Sequence, residues 1–238
     1  MKGRPIAVIP ARSGSRRIPD KNVKLFGGEP LIVYTIRAAL TAELFARVVV
    51  STDSKNIASI ASAAGADVPF LRSATLADDY TPVSQVTTDA IQQLGYSPHR
   101  NTPVCQLMPN CPLRNHSDIK SSYAQFLSTR TSSQLSVVRF AWQNPWWAMT
   151  MSERFRLEPV FPEALSERSQ DLPTLLTPTG AVWWARAGAL ISSGTYYMPG
   201  ASGWEISWSH GIDIDTPEEW SVAEALLPIL HDESEHTS

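Results

Sequence analysis

The apolar run Ile6-Ala7-Val8-Ile9 leads into PARSGSRRIPDKN, residues 10 to 22, where Arg12, Arg16, Arg17 and Lys21 stand among Ser13, Gly14 and Ser15. Cations this dense can neutralise several phosphate oxygens, the serines add hydroxyl donors, and Gly14 permits positive φ and close backbone approach. A triphosphate suits such a loop; from charge alone, a solvated basic loop is an equal account. The spacing is neither GxGxxG nor GxxxxGK followed by Ser or Thr, so neither a dinucleotide fingerprint nor an ordinary P-loop applies. Far along the chain, GIDIDTPEEW sets Asp213 and Asp215 two residues apart at the end of an apolar strand. Alternate strand residues share a face, so both carboxylates can meet one cation. Asp215 has a second reading as the cap of a helix starting at Pro217, because Asp-Thr-Pro is a good start signal.

Such a loop needs a strand before it and a helix after it, and the sequence supplies both. Residues 4 to 9 read as a strand, and Pro30 opens PLIVYTIRAAL, where proline suits the first turn of a helix. ARVVVS, residues 46 to 51, is a continuous apolar run of the kind found in parallel strands covered on both faces. Next come a small-residue helix at 54 to 64 with Asp53 as its cap, a short strand ADVPFL, a helix at 83 to 94 and the strand TPVCQLM. A helix at 117 to 129 then leads to the strand QLSVVRF at 134 to 140. The alternation predicts an α/β fold with a Rossmann-like, doubly wound, mostly parallel sheet. In such sheets ligands sit beyond the carboxyl ends of the strands, where residues 10 to 22 lie. Asp78 and Asp79 in LADDYTP read as helix-start and loop groups.

Residues 141 to 178 break the rhythm, being rich in proline and tryptophan and without a clean period. That is too long for a plain loop in a compact domain, so the segment is either functional or an arm that packs elsewhere. GAVWWARAGAL restores a strand, with Trp183 and Trp184 on opposite faces, and GIDIDTPEEWSVAEALLPIL supplies a strand end and a helix. The expected organisation is an α/β domain of residues 1–140 and 179–231, an inserted arm at 141–178 and a flexible tail at 232–238.

Composition narrows the classes. Of 238 residues, 43% are hydrophobic and 18% charged, and no apolar run approaches the roughly 20 residues that cross a bilayer, so no membrane span is expected. The net charge of −3 leaves no overall footprint for nucleic acid. Cys105 and Cys111 form no CxxC, and the five histidines have no ligand spacing, which argues against zinc and against a disulfide framework. The four apolar residues after Met1-Lys2-Gly3-Arg4-Pro5 are too few for a secretory signal, so a cytoplasmic location is expected.

The wording of the first loop goes beyond its charge. The pattern PAR-x-G-S-[KR]-x-[IL]-P-x-KN, followed by L..G.PLI.YTI..AL, resembles the cytidylyltransferases that activate nonulosonic acids. These are the CMP-N-acylneuraminate (sialic acid) synthetases and their pseudaminic and legionaminic acid relatives. The resemblance continues in order through RVVVSTDSKNIASIASAAGADVPFLRSATLADDYTP, QLMPNCPLRN, RSQDLP, PTGAVWW and GIDIDTPEEW. Two positions depart: Ser13 stands where the family often has glycine, and Arg16 where it often has lysine. Both changes keep a small or a cationic residue, although an arginine fork is not an ammonium point charge. Enzymes activating the eight-carbon acid of lipopolysaccharide typically carry proline where this chain has Asn22, so PDKN favours the nine-carbon branch.

The resemblance implies a reaction in which the anomeric hydroxyl of a 2-keto-3-deoxy acid attacks the α-phosphorus of CTP, releasing pyrophosphate. It places Arg12 and Lys21 on the phosphates as catalytic residues, with Ala11, Ser13, Gly14, Ser15 and Arg16 completing the nucleotide loop. Asn22 would meet the ribose or the cytosine edge, and Arg72 the base. Gln106 would meet the sugar, and Arg168 with Gln170 its carboxylate. Asp213 and Asp215 would hold a magnesium ion, and either a metal-bound water or an aspartate of that pair would deprotonate the hydroxyl. From the residues alone, Gln106 also fits a satisfied strand-end amide and Arg72 a surface group. The arm is expected to reach into a neighbouring subunit's site, which gives a homodimer, with Trp142, Trp146 and Trp147 as interface anchors or core. Two other functions remain open: an eight-carbon keto-acid (KDO-type) cytidylyltransferase, and a non-catalytic nucleotide-binding dimerisation module.

Overall fold

A computed structural model describes residues 3–78, 80–97, 99, 101–140 and 143–235. Asp79, Trp142 and residues 236–238 of the expected tail lie outside the described residues.

The chain opens with β1 (Ile6–Pro10), buried along its whole length. Ile6 and Val8 point into one core and Ala7 and Ile9 into the other, as a strand covered on both faces requires. A small ribbon of β2 (Leu25–Phe26) and β3 (Glu29–Pro30) precedes α1 (Leu31–Thr41), then β4 (Arg47–Ser51) and α2 (Lys55–Ala63). These are followed by α3 (Val83–Gln93), β5 (Pro103–Gln106), α4 (His116–Thr129) and β6 (Ser133–Arg139). After the arm, which holds the hairpin β7 (Met149–Met151) and β8 (Leu157–Pro159), come β9 (Leu176–Arg186), α5 (Ala187–Ser193), β10 (Ser202–Glu205) and α6 (Pro217–Glu235).

The central sheet runs β10-β6-β9-β5-β1-β4. β1 pairs in parallel with β4 on one side and β5 on the other, β10 pairs in parallel with β6, and β9 runs against both β5 and β6. Residues of α1, α2 and α4 cover one face, and residues of α3 and α5 cover the other. The mostly parallel α/β architecture expected from the sequence is therefore present, with β9 reversed. Trp183 and Trp184 do divide between the faces, and Trp184 is enclosed by Phe45, Tyr123 and Phe126 at centroid distances of 5.8, 4.7 and 6.0 Å. The chain leaves β1 first toward β4 and then returns to β5 on its other side. That reversal opens a crevice at the strands' carboxyl ends.

Some expectations are corrected. ADVPFL makes only isolated bridges, Asp67 to Val49 and Leu71 to Thr52, because Pro69 lacks the N–H that a ladder needs. Asp53 does not cap α2; the neighbouring Ser54 does, accepting the Ile57 N–H at 3.3 Å. Residues 211–215 are not a strand: the Ile214 N–H goes to the Asn110 carbonyl at 2.8 Å, and the ladder partner of β6 is the earlier β10. Leu176, Thr177 and Pro178, placed in the arm on sequence, pair with Arg139, Val138 and Val137 as the start of β9. Within the arm, Trp146 packs edge-on against Phe161 at 5.2 Å and Trp147 donates to the Ala164 carbonyl at 3.2 Å, so both rings contact the arm itself.

The helix α4 carries a full capping box. Asn115 accepts from the N–H groups of Ser117 and Asp118, and Asp118 accepts from the Asn115 N–H. Asn115→Ala should lower folding stability by about 1 kcal/mol. In urea titration the midpoint should fall with an unchanged slope; an unmoved midpoint would show that the cap contributes nothing.

Candidate active site

The crevice is a cleft of about 460 Å³. Arg12, Ser15, Arg16, Arg17, Lys21 and Asn22 line it from the loop after β1, and Met108, Pro109 and Asn110 from the end of β5. Arg72 lines it from the segment after α2, and Asp215 from the turn before α6. The loop keeps its shape through its own backbone: the Lys21 N–H reaches the Ile18 carbonyl, and the Val23 and Lys24 N–H groups reach the Asp20 carbonyl. Ile18 is buried and anchors the middle. Asn22, also buried, donates to the Arg12 carbonyl at 2.9 Å and so ties the loop's two ends together.

Lys21 and Asp215 meet across most of the sequence. The Lys21 ammonium donates to the Ile214 carbonyl at 2.7 Å and to Asp215 Oδ1 at 2.9 Å, while Arg17 reaches Asp215 Oδ2 at 2.8 Å. Burial opposes ionisation of Asp215, but Lys21 and Arg17 outweigh it and hold the carboxyl below its ordinary pKa. The expected helix cap is instead Thr216, which accepts the Glu219 N–H while Glu219 accepts the N–H groups of Asp215 and Thr216. That frees the Asp215 side chain for the cleft.

Asp213 lies deeper. Its oxygens accept the Gly180 N–H at 3.2 and 3.1 Å, and Oδ1 accepts the Cys111 S–H at 2.5 Å. Burial pushes its pKa up, and the Asp215 charge adds to this against the pull of Cys111, Gly180 and Lys21. Gly180 is required here for space, since a Cβ would come within 2.7 Å of Met108 Cγ and 3.1 Å of Asp213 Oδ1. Behind this pair the fully buried Arg114 donates to the Ala181 carbonyl at 2.8 Å and to Thr35 Oγ1 at 2.5 Å.

The expected site residues thus fall into three groups. Arg12, Ser15, Arg16, Lys21, Asn22, Arg72 and Asp215 line one cleft, and Asp213 stands behind it. Ala11 is buried in the core, and Ser13 is turned toward Asp53. Gly14 is not among the positive-φ residues, and a Cβ on it would meet nothing closer than Arg12 at 3.9 Å, so its expected conformational role is not used here. Gln106 is fully buried and absent from the cleft lining; its side-chain oxygen accepts from Thr87 at 2.7 Å, while its Nε2 makes no hydrogen bond among the described residues, so the satisfied strand-end amide is met only in part. Arg168 and Gln170 are exposed on the arm and absent from the cleft lining, and Arg168 pairs with Asp171 at 2.6 Å. Sequence reasoning missed Asn110, whose amide faces Asp215 at 3.4 Å. Its position just past an apolar strand was the available signal.

The fold is of the doubly wound, mostly parallel α/β class. The model of the family described as cytidylyltransferase matches residues 6–139. Pseudaminic acid cytidylyltransferase of Campylobacter jejuni is 30% identical over 227 residues, covering 95% of this chain and 97% of that protein. CMP-N,N'-diacetyllegionaminic acid synthase of Legionella pneumophila is 33% identical over 225 residues, covering 94% and 96%. Among solved structures, a CMP:2-keto-3-deoxy-manno-octonic acid synthetase complexed with CTP superposes with a TM-score of 0.70 at 16% identity, covering 95% of this chain and 99% of that one. A 4-diphosphocytidyl-2C-methyl-D-erythritol synthase from Anaerococcus prevotii gives 0.59 at 9% identity, covering 96% and 100%. These two likenesses show the fold. The chain belongs to the cytidylyltransferase family.

Proposed function

We propose that this protein transfers the cytidylyl group of CTP to the anomeric hydroxyl of an acidic nine-carbon 2-keto-3-deoxy sugar, releasing pyrophosphate. The observation that carries the reading is the near full-length similarity to two enzymes named for nonulosonic acids. The cleft's chemistry agrees. Arg12, Arg16, Arg17 and Lys21 supply the charge that a triphosphate needs, on a loop fixed before substrate arrives. Asp215 neutralises part of that charge in the resting protein, which keeps Lys21 and Arg17 oriented toward the cleft.

Magnesium is the proposed cofactor. Among the described residues no group of three His, Cys, Asp or Glu could hold a metal, but magnesium usually takes only one or two carboxylates and draws its other ligands from water and substrate phosphates. Asp213 and Asp215 are oxygen donors of the right kind, and Asp213 Oδ2, which accepts only the Gly180 N–H, keeps acceptor capacity. When bound, the ion would offset charge on the triphosphate. Because the reaction consumes CTP, we place the protein in the cytoplasm; among the described residues no helix is long and apolar enough to cross a membrane.

Arg168 and Gln170 stand on the arm, absent from the lining of their own chain's cleft, and the arm also exposes the apolar residues Met151, Phe155 and Leu157. We assign the arm to a second copy, whose cleft it would complete by offering Arg168 to the sugar carboxylate. Arg168→Ala should raise the KM for the acid roughly tenfold or more, since hydrogen bonds to charged groups contribute about 1.5–3 kcal/mol, and should leave CTP affinity unchanged. Steady-state kinetics with each substrate varied in turn decides it, and an equal loss for CTP would contradict the assignment. The reading as a whole is tested by incubating the protein with magnesium, the acids and CTP, UTP, ATP or GTP in turn. Phosphorus NMR should show a sugar-linked CMP with CTP alone; transfer from another nucleotide, or none, would overturn it.

A further inference from the structure

Asp53 was expected to cap α2, and Ser54 holds that post, which leaves the Asp53 carboxylate for other partners. It stands just past the carboxyl end of β4, beside the loop that follows β1. Oδ1 accepts the Ser13 N–H at 3.1 Å and Oδ2 the Ser13 hydroxyl at 2.7 Å. On its other side lies the Arg72 guanidinium, 3.6 Å from Oδ1. Arg72 is also held at its backbone, where its N–H reaches the Thr52 carbonyl at 2.8 Å. One carboxylate therefore joins the loop after β1 to the segment that carries Arg72.

The Arg72 side chain is 3% exposed, yet it lines the cleft. Among the described residues neither its Nε nor its NH2 nitrogen makes a hydrogen bond. A buried guanidinium is costly without an opposite charge, and left alone it would turn toward water. Asp53 offsets that charge, its Oδ1 standing 3.6 Å from the Arg72 NH2 nitrogen. Arg12, close enough for its charge to be felt at Arg72, adds a repulsion that the same carboxylate offsets.

We propose that Asp53 is a positioning residue for the nucleotide: it holds the Arg72 guanidinium in the lining of the cleft and fixes, through Ser13, the loop that carries Arg12. The proposal rests on the reading that this cleft receives CTP. Its ligand is an acceptor group of that nucleotide, either a phosphate oxygen or a base carbonyl.

The test is CTP binding to the full chain by calorimetry, alongside steady-state kinetics. Asp53→Asn should weaken CTP binding about tenfold, as expected when one partner of a buried charge pair is lost, and should raise the KM for CTP without raising that for the acid. Adding Asp53→Asn to Arg72→Gln should weaken CTP binding by much less than it does in the wild-type chain, because the two act through one contact. Ser13→Ala removes one arm of the connection and should weaken CTP binding a few-fold, which keeps the test alive if Asp53→Asn fails to fold. Wild-type binding with unchanged affinity in Asp53→Asn and Ser13→Ala would overturn this inference alone. A wild-type chain that does not bind CTP would overturn both it and the CTP reading.

Discussion

Lys21→Ala will reduce pyrophosphate release by about 10²–10³-fold at saturating CTP, the usual cost of removing one preorganised donor from a charge-stabilising site. The ammonium is two-thirds engaged already, with one proton on the Ile214 carbonyl and one on Asp215, so its position is set before substrate arrives. On the proposed reading, that fixed position would make it effective, because little reorganisation would accompany charge build-up on the triphosphate. Folding should survive the change: Arg17 still pairs with Asp215, and the Ile214 N–H remains bound to Asn110. Thermal unfolding followed beside the pyrophosphate assay separates the two effects. A rate within threefold of wild type would remove Lys21 from the mechanism.

Asp213→Asn should reduce turnover by a similar factor, about 10²-fold or more, and leave the unfolding temperature the same or higher. The argument is the cost of a buried charge. Burial and the Asp215 charge raise the pKa of this carboxyl, the Cys111 S–H, the Gly180 N–H and Lys21 offsetting them only in part, and an amide of the same shape can keep the Gly180 contact without that cost. A variant that loses activity and stability together would show Asp213 to be structural, and one with near-normal turnover would take it out of the proposed magnesium site.

Much of this was legible in the chain. The buried strand at 6 to 9, the cationic loop and the alternation of strands and helices carry their own signals, and β1, α1 and β4 fall close to where periodicity places them. Contacts made by the fold were not legible. Lys21 and Asp215 are 194 positions apart, and nothing local announces their pairing. In STDS two good capping residues stand side by side, and the choice of Ser54 over Asp53 depends on Ser13 being near enough to hold the carboxylate. GIDID alternates like a strand, but Ile214 is buried and Ile212 partly buried against α6, so the alternation reflects packing on a helix. That the Gln106 oxygen is taken by Thr87 of α3, while its Nε2 is not bonded among the described residues, was likewise invisible in the sequence.

The most direct measurement is pyrophosphate release from CTP and magnesium with N-acetylneuraminate, legionaminate, pseudaminate and the eight-carbon acid offered separately. The account predicts release with at least one of the nine-carbon acids. Release with the eight-carbon acid alone, or CTP bound with no turnover across the whole panel, would contradict it.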